Sequence, residues 1–314
     1  MQKRALGQSG LIVPPVIFGG NVLGWTADKA TSFRLLDALV EAGLNAIDTA
    51  DVYSTWVAGH AGGESETILG EWMKARGRRR DVLVLTKVGM EMPGRGKGLS
   101  AGWIARAVDE SLTRLGTDVI DLYQAHRDDE STPLEETLGA FARLIEQGKV
   151  QAIGASNYAA PRLKAALETS ARLGLPRYES LQPLYNLMER GIEADLLPLC
   201  RERGLGVIPY AALAGGFLTG KYRSEADRSK SPRGARAGQY LDARGTRVLV
   251  ALDAAAARLR STPTQVALAW QIARPGITAP IASATTPEQL RDLVKAATLE
   301  LDREAIEALD AASQ

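Results

Sequence analysis

Residues 45–53 have the sequence Asn-Ala-Ile-Asp-Thr-Ala-Asp-Val-Tyr, which predicts a short buried strand followed by a turn. The strand ends in Asp48, and Tyr53 follows one short turn later. A carboxylate and a phenol are therefore expected at the same end of one strand. Because a carboxylate at the edge of a hydrophobic core is costly unless a cation lies nearby, this stretch also predicts a basic partner.

The next two predicted strands supply that partner and a further titratable group. Residues 82–87 are apolar except for Thr86 and the terminal Lys87, and the strand after them ends with His126. The four polar side chains Asp48, Tyr53, Lys87 and His126 thus lie at or just beyond the C-terminal ends of successive strands. Each alone has an ordinary explanation, such as a strand-end cap or a solvent-exposed end. Chance does not readily explain all four in this order.

This arrangement resembles the aldo-keto reductases, in which an Asp and a Tyr lie around the end of the second barrel strand, a Lys ends the third and a His ends the fourth. The resemblance extends from the first hairpin to about residue 293. It implies that Tyr53 is the general acid in carbonyl reduction and the base in alcohol oxidation, supported by Asp48, Lys87 and His126. A phenol has a pKa near ~10, and a neighbouring ammonium makes it a stronger acid.

Strand-like and helix-like patterns alternate along the whole chain. Eight such units can be counted if residues 278–282 form the eighth strand. Strict alternation produces parallel strands joined by right-handed crossovers, and eight of them close a barrel. A doubly wound sheet would show a Gly-x-Gly-x-x-Gly fingerprint early in the chain, and none follows the first strand. We therefore predict an α/β protein whose residues 1–314 form a single (β/α)8 TIM barrel domain, with its active site at the C-terminal ends of the strands.

Two segments lie outside the repeating units. Residues 7–10 predict the turn of an N-terminal β-hairpin, which resembles the hairpin that closes the N-terminal mouth of an aldo-keto reductase barrel. Residues 211–245, after the seventh strand, are too long for an ordinary connection. Within them and just beyond, residues 221–247 hold eight basic and three acidic residues, and we name this range the flap. The flap is either a solvated loop or a basic cover over a bound anion.

The resemblance also implies a nicotinamide site. The matching residues lie at the ends of predicted strands: Ser156 and Asn157 at the end of the fifth, Gln182 at the end of the sixth, and Tyr210 at the end of the seventh, residues 206–210. Leu213, Gly215 and Lys221 follow in a glycine-rich loop. Ser156, Asn157 and Gln182 match the carboxamide-binding set, which needs a donor and an acceptor. Tyr210 matches the aromatic residue that stacks on the nicotinamide ring, and the glycines match a pyrophosphate loop. Alternatively, Ser156 and Gln182 only satisfy loop backbone groups, and Tyr210 is a core residue.

The sequence departs from the family pattern after the eighth strand. Members that prefer the 2′-phosphorylated cofactor usually carry a Lys or Arg where this chain has residues 283–289, which are neutral or acidic. Ser283, Thr285 and Gln289 can donate hydrogen bonds to a phosphate, but the guanidinium is missing. Arg291 or an arginine of the flap could compensate. We therefore expect NADPH/NADP+ as cofactor and leave NADH/NAD+ open.

Trp25 and Trp56 are predicted to line the substrate pocket, which suits a small carbonyl compound such as an aldehyde, a ketone or a sugar-like molecule. We assign no metal ligands. One alternative is a cofactor-sensing regulatory subunit on the same scaffold, like the channel-associated members of the family, although those carry extra terminal segments. Another is a barrel lyase that uses Lys87 as a Schiff-base amine, for which a nicotinamide pocket would have no use.

Composition limits the classes of binding partner and the cellular compartment that we expect for this protein. With 38 basic and 37 acidic residues the net charge is +1, so nothing indicates nucleic acid or an anionic membrane as a partner. The single Cys200 cannot form an internal disulfide. No apolar run approaches the length of a membrane span, and no signal peptide is indicated. We expect a cytoplasmic location, and the oligomeric state is not indicated.

Overall fold

A computed structural model describes residues 1–314. The strands β1 (Arg4–Ala5) and β2 (Ile12–Val13) form an antiparallel hairpin. The other eight strands form one parallel sheet: β3 (Ile17–Gly19), β4 (Ala46–Asp48), β5 (Leu83–Val88), β6 (Ile120–Ala125), β7 (Val150–Ser156), β8 (Tyr178–Gln182), β9 (Gly206–Val207) and β10 (Ile281–Ala282).

The sheet closes on itself. Consecutive strands pair from β3 to β9, and β10 pairs with β3. Val207 of β9 forms a parallel bridge with Ile277, which precedes β10, and the Ile281 N–H of β10 donates to the Pro209 carbonyl oxygen at 2.8 Å. This confirms the predicted (β/α)8 barrel with an N-terminal hairpin.

Helices surround the barrel. They are α1 (Lys29–Glu41), α2 (Glu64–Arg76), α3 (Ala101–Leu115), α4 (Leu134–Glu146), α5 (Ala160–Leu173), α6 (Leu196–Arg203), α7 (Gly234–Ala237), α8 (Ala243–Arg258), α9 (Pro263–Ile272), α10 (Pro287–Ala296) and α11 (Arg303–Ala312). Local interactions determine where these helices begin and end. The Asp28 carboxylate accepts a hydrogen bond of 2.7 Å from the Thr31 N–H at the start of α1. Gly116, at φ 61°, ends α3 in the left-handed region that favours glycine. None of these helices is both long enough and apolar enough to span a bilayer.

The hairpin fills the N-terminal end of the barrel. Leu6, Leu11 and Val13 join one compact core cluster with Leu85 of β5 and Leu122 of β6. A larger cluster packs the outside of the strands against the helices. Because side chains close the N-terminal end, the opposite mouth is the open end of the barrel.

Several strands are shorter than the sequence predicts. Residues 206–210 were expected to form the seventh barrel strand, but regular pairing covers only Gly206–Val207. Residues 278–282 were expected to form the eighth, and it covers only Ile281–Ala282. Each shortened stretch contains a proline, Pro209 or Pro280, which has no N–H to donate to a neighbouring strand.

The long segment after β9 contains regular structure. It includes 3-10 turns at Ala214–Thr219, Glu225–Lys230 and Gly238–Tyr240, together with α7. α8 begins at Ala243, where the Asp242 carboxylate caps it by accepting from the Gly245 N–H at 2.6 Å. The helices α7, α9 and α11 were not predicted from the sequence.

Candidate active site

The four polar residues predicted at successive strand ends meet at the C-terminal mouth of the barrel. Asp48 is the last residue of β4, Lys87 is the last but one of β5, and His126 directly follows β6. Tyr53 lies in the turn after β4, and its side chain is half-buried. Parallel strands bring residues that are distant in sequence to one mouth, because each strand presents the same end there.

Lys87 is the centre of this group. Its Nζ lies 2.7 Å from Oδ2 of Asp48, 2.7 Å from the Thr49 carbonyl oxygen and 2.9 Å from the Tyr53 hydroxyl. The Tyr53 hydroxyl lies 3.3 Å from the same Asp48 oxygen. The ammonium therefore donates three hydrogen bonds, which use all of its protons. The phenol accepts from a cation and donates to an anion.

The other carboxylate oxygen of Asp48, Oδ1, contacts two glutamine side chains. Gln182 donates to Asp48 Oδ1 at 2.8 Å, and Gln124 lies 3.4 Å from the same oxygen. Gln124 was not predicted from the sequence. The available signal was an amide two residues before His126 in the same strand pattern, so that both side chains point to the same side of the strand.

Burial controls the protonation of this group. Burial raises the pKa of Tyr53 well above its usual value, and the nearby Asp48 carboxylate raises it further. Burial also lowers the pKa of Lys87, and the Asp48 carboxylate opposes this shift. Tyr53 therefore keeps its proton throughout the neutral pH range, next to an ammonium that can stabilise the phenolate.

His126 lies against the same phenol. Its ring centroid is 6.0 Å from that of Tyr53, and its buried Nδ1 has no hydrogen-bond partner. Burial lowers the pKa of His126 well below its usual value, and the charges of Lys87 and Arg127 lower it further. At neutral pH the imidazole is uncharged, so one ring nitrogen can donate and the other can accept.

An aromatic wall borders the phenol. The ring centroids of Trp56 and Tyr53 lie 6.0 Å apart, and those of Trp25 and Trp56 lie 5.4 Å apart, both edge-to-face. Trp56 is 49% exposed and Trp25 is half-buried. The two predicted pocket residues are thus brought together beside Tyr53.

Behind this site lies a buried charged cluster that sequence analysis did not identify. The fully buried Glu66 pairs with Arg114 at 2.7 Å and accepts a hydrogen bond of 2.5 Å from Thr86. Both carboxylate oxygens of the buried Asp51 lack a partner. Burial and the charge of Glu66 raise the pKa of Asp51 to about 8. Asp51 is therefore mostly protonated at neutral pH.

Four of the predicted cofactor residues form a hydrogen-bonded chain beside the group of Asp48, Tyr53, Lys87 and His126. The Ser156 hydroxyl donates to the Gln182 carbonyl oxygen at 2.8 Å, and the Asn157 amide lies 3.1 Å from the Ser156 hydroxyl. The Tyr210 hydroxyl donates to Asn157 Oδ1 at 2.9 Å. Asn157 adopts a left-handed φ of 56°, which asparagine tolerates better than most residues.

The predicted glycine-rich loop turns through two consecutive left-handed glycines. Gly215 and Gly216 have φ of 68° and 99°, values that a residue with a Cβ rarely adopts. A Cβ on Gly215 would lie 3.6 Å from Arg236, and one on Gly216 would lie 3.2 Å from Lys221. Both cations are exposed. Leu213 precedes the pair, and its carbonyl oxygen accepts from the Gly216 N–H at 2.8 Å.

The segment after β10 is held by its own hydrogen bonds. Ser283 donates to Asn21 at 2.8 Å, and Thr285 donates from its backbone N–H to Gln289 Oε1 at 2.8 Å. Arg291, considered above as a compensating cation, instead pairs with Glu288 at 2.9 Å and is exposed.

Residues 15–314 match the model of the Aldo/keto reductase family. An uncharacterized oxidoreductase of Bacillus subtilis, YrpG, is 36% identical over 99% of this chain and 95% of its own length. A proposed voltage-gated potassium channel subunit beta of Schizosaccharomyces pombe is 34% identical over 93% of this chain and 87% of its own. The aldo-keto reductase AFTS1 of Alternaria alternata is 32% identical over 98% of this chain and 91% of its own.

Proposed function

The chain belongs to the aldo/keto reductase family, and from that premise we propose that it is an NAD(P)H-dependent oxidoreductase that reversibly reduces an aldehyde or ketone to an alcohol, with Tyr53 as the proton donor. The observation that carries the proposal is the contact of the Tyr53 hydroxyl with Lys87 at 2.9 Å. When the phenol releases its proton, the ammonium beside it can stabilise the phenolate that forms.

The cofactor, when bound, would supply the hydride. The residues present fit it: Ser156, Asn157 and Gln182 offer the donors and acceptors that an amide needs, and Tyr210 offers an aromatic face. The left-handed pair of glycines, with Lys221 and Arg236 beside it, suits a pyrophosphate.

Tyr53 would donate its proton to the carbonyl oxygen as negative charge develops there. Lys87 then stabilises the phenolate through the hydrogen bond that it already makes, and Asp48 keeps the ammonium in place. The uncharged imidazole of His126 would donate a hydrogen bond to the same carbonyl oxygen and fix its orientation. In alcohol oxidation the proton returns to Tyr53.

For the cofactor we favour NADPH, because the cations of the flap near the glycine pair can bind a further phosphate. Arg291 is not our candidate for that contact, since Glu288 already pairs with it. The aromatic wall of Trp25 and Trp56 suits a cyclic or aryl carbonyl compound.

Two alternatives lose support from the same geometry. A Schiff-base lyase needs a free amine, whereas Lys87 is buried and donates to three acceptors. The second alternative is a channel regulatory subunit, because the chain is similar to a protein described as a potassium channel subunit beta. Such a subunit would not need a proton donor. The ordered contacts of Tyr53 favour catalysis.

The test is turnover of 4-nitrobenzaldehyde with NADPH and with NADH, followed by loss of absorbance of the reduced cofactor. We expect turnover of the aldehyde and quenching of protein fluorescence when the cofactor is titrated alone. Cofactor binding without turnover of any aldehyde or ketone would favour the regulatory alternative. Absence of cofactor binding would contradict the proposal.

A further inference from the structure

Arg233 differs from the other cations of the flap. Its guanidinium lies over the ring of Trp25, with Cζ 5.1 Å from the ring centroid. Three flap neighbours have acidic partners instead: Arg223 pairs with Asp253, Arg228 with Glu225 and Lys230 with Asp227. Arg233 itself forms no salt bridge with a carboxylate, unlike these three neighbours.

The donors of Arg233 are not satisfied by the protein. Its Nη2 is buried and has no hydrogen-bond partner. Buried polar groups in folded proteins nearly always have a partner, and a guanidinium has five N–H donors and no acceptor. A partly buried, unpaired guanidinium beside an open site therefore indicates an anionic ligand.

The position of Arg233 assigns that ligand to the substrate side of the site. Trp25, beneath the guanidinium, contacts Trp56, and Trp56 contacts Tyr53, so one continuous aromatic wall joins the cation to the proposed proton donor. Lys221 and Arg236, by contrast, lie beside the glycine pair that suits the cofactor pyrophosphate. The glycine pair and the aromatic wall thus each have a cation directly beside them.

Resting on the proposed function, we infer that Arg233 binds a carboxylate of the substrate, and that the preferred carbonyl compounds carry this carboxylate on an aryl or similarly flat body. A single guanidinium matches one negative charge and can bind a carboxylate through two parallel hydrogen bonds. The tryptophan wall covers the flat part of the molecule between the carboxylate and the carbonyl. Arg233 is then a specificity-determining residue and not a proton donor.

The test compares substrates that differ only in charge. The pairs are 4-formylbenzoate with 4-formylbenzamide and 3-formylbenzoate with 3-formylbenzamide, which hold the charge at two distances from the aldehyde. For at least one pair we expect the wild type to show a kcat/KM about tenfold or more higher for the carboxylate. Arg233→Met should reduce this ratio to about one, chiefly by raising KM for the carboxylate. Arg233→Lys should restore part of it.

Two further measurements show whether Arg233 acts on the substrate carboxylate or on a cofactor phosphate. Calorimetric titration of benzoate and benzamide, which cannot react, into the cofactor-saturated protein reports anion binding without turnover. The dissociation constant of NADPH reports whether Arg233 contacts a cofactor phosphate instead. We expect benzoate to bind more tightly than benzamide in the wild type only, and NADPH to bind equally well to the wild type and to Arg233→Met.

The outcomes distinguish this inference from the proposed function. Equal kcat/KM for charged and neutral partners, with active enzyme, would overturn the inference and leave the proposed function standing. A weaker NADPH affinity of Arg233→Met with an unchanged substrate ratio would also overturn it. No turnover of any aldehyde, together with a benzoate preference that Arg233→Met loses, would overturn the proposed function and support the anion site.

Discussion

Lys87 donates a hydrogen bond of 2.9 Å to the hydroxyl of Tyr53, although the two residues lie on different strand-loop units and are 34 positions apart in the chain. The same ammonium lies 2.7 Å from the Asp48 carboxylate, and its side chain is fully buried. The phenol is thus coupled to a buried ion pair. Such a pair is strongly destabilised when one partner is removed, so mutations here affect both activity and stability.

Replacing Tyr53 with Phe should lower turnover of 4-nitrobenzaldehyde by a factor on the order of 10² to 10⁴, because the proton donor is lost while the ring remains. Cofactor affinity, measured by fluorescence titration, should stay close to that of the wild type. A variant that keeps most of the wild-type rate would refute the role of Tyr53 as the acid.

Replacing Lys87 with Met should abolish activity and lower the free energy of unfolding by about 3–5 kcal/mol, because the Asp48 carboxylate is left buried without its cation. Adding Asp48→Asn to this variant removes the stranded charge, so stability should recover while activity does not. Urea denaturation of both variants measures the recovery. If the double variant were no more stable than Lys87→Met, the buried pair would not be the cause.

Asp51 should make the protein less stable as pH rises. Burial and the charge of Glu66 raise the pKa of Asp51 to about 8 in the folded protein, above the value of the unfolded chain. The folded state therefore holds a proton that the unfolded state has released, and stability falls between about pH 4 and pH 8. Each unit of raised pKa corresponds to about 1.4 kcal/mol.

Asp51→Asn keeps the shape of the side chain but cannot ionise. Relative to the wild type it should therefore gain stability progressively from pH 5 to pH 8, with a difference on the order of several kcal/mol at most. Urea denaturation at the two pH values measures the difference. A wild-type-to-variant difference that does not change with pH would show that Asp51 ionises normally.

The wild type should bind NADPH more tightly than NADH by roughly 1.5–3 kcal/mol, the scale of a charge-assisted hydrogen bond. This corresponds to about a tenfold to hundredfold ratio of dissociation constants. The ratio should shrink with added salt because Lys221 and Arg236, the flap cations beside the glycine pair, are exposed. Equal affinities would mean that the lack of a basic residue at positions 283–289 decides the preference.

Variants of single arginines identify which residue contacts the 2′-phosphate of NADPH. Arg236→Met should reduce the preference if Arg236 binds the 2′-phosphate, and should weaken both cofactors equally if it contacts only the pyrophosphate. Arg291→Met is the matched comparison. Because Arg291 already pairs with Glu288, we expect it to leave the ratio unchanged.

The sequence by itself determined the barrel and the position of the four polar residues at its mouth. Alternating periodicity specifies the order of strands and helices, and the side chain that ends each strand needs no tertiary information to be located. Asp48, Lys87 and His126 could be placed for this reason. Pro209 and Pro280 indicate that the last two strands are short, although the apolar residues around them predict longer strands.

Only the tertiary structure decided which side chains share a partner. Gln124 and Gln182 converge on one oxygen of Asp48 from strands 58 residues apart, and no local pattern encodes that meeting. The ion pairing of the flap cations also could not be predicted from the sequence. Its arginines are equivalent in sequence, yet Arg223 and Arg228 are neutralised by acids while Arg233 lies unpaired over Trp25. Charge pairing depends on distances across the fold, and the backbone path of residues 211–245 sets those distances.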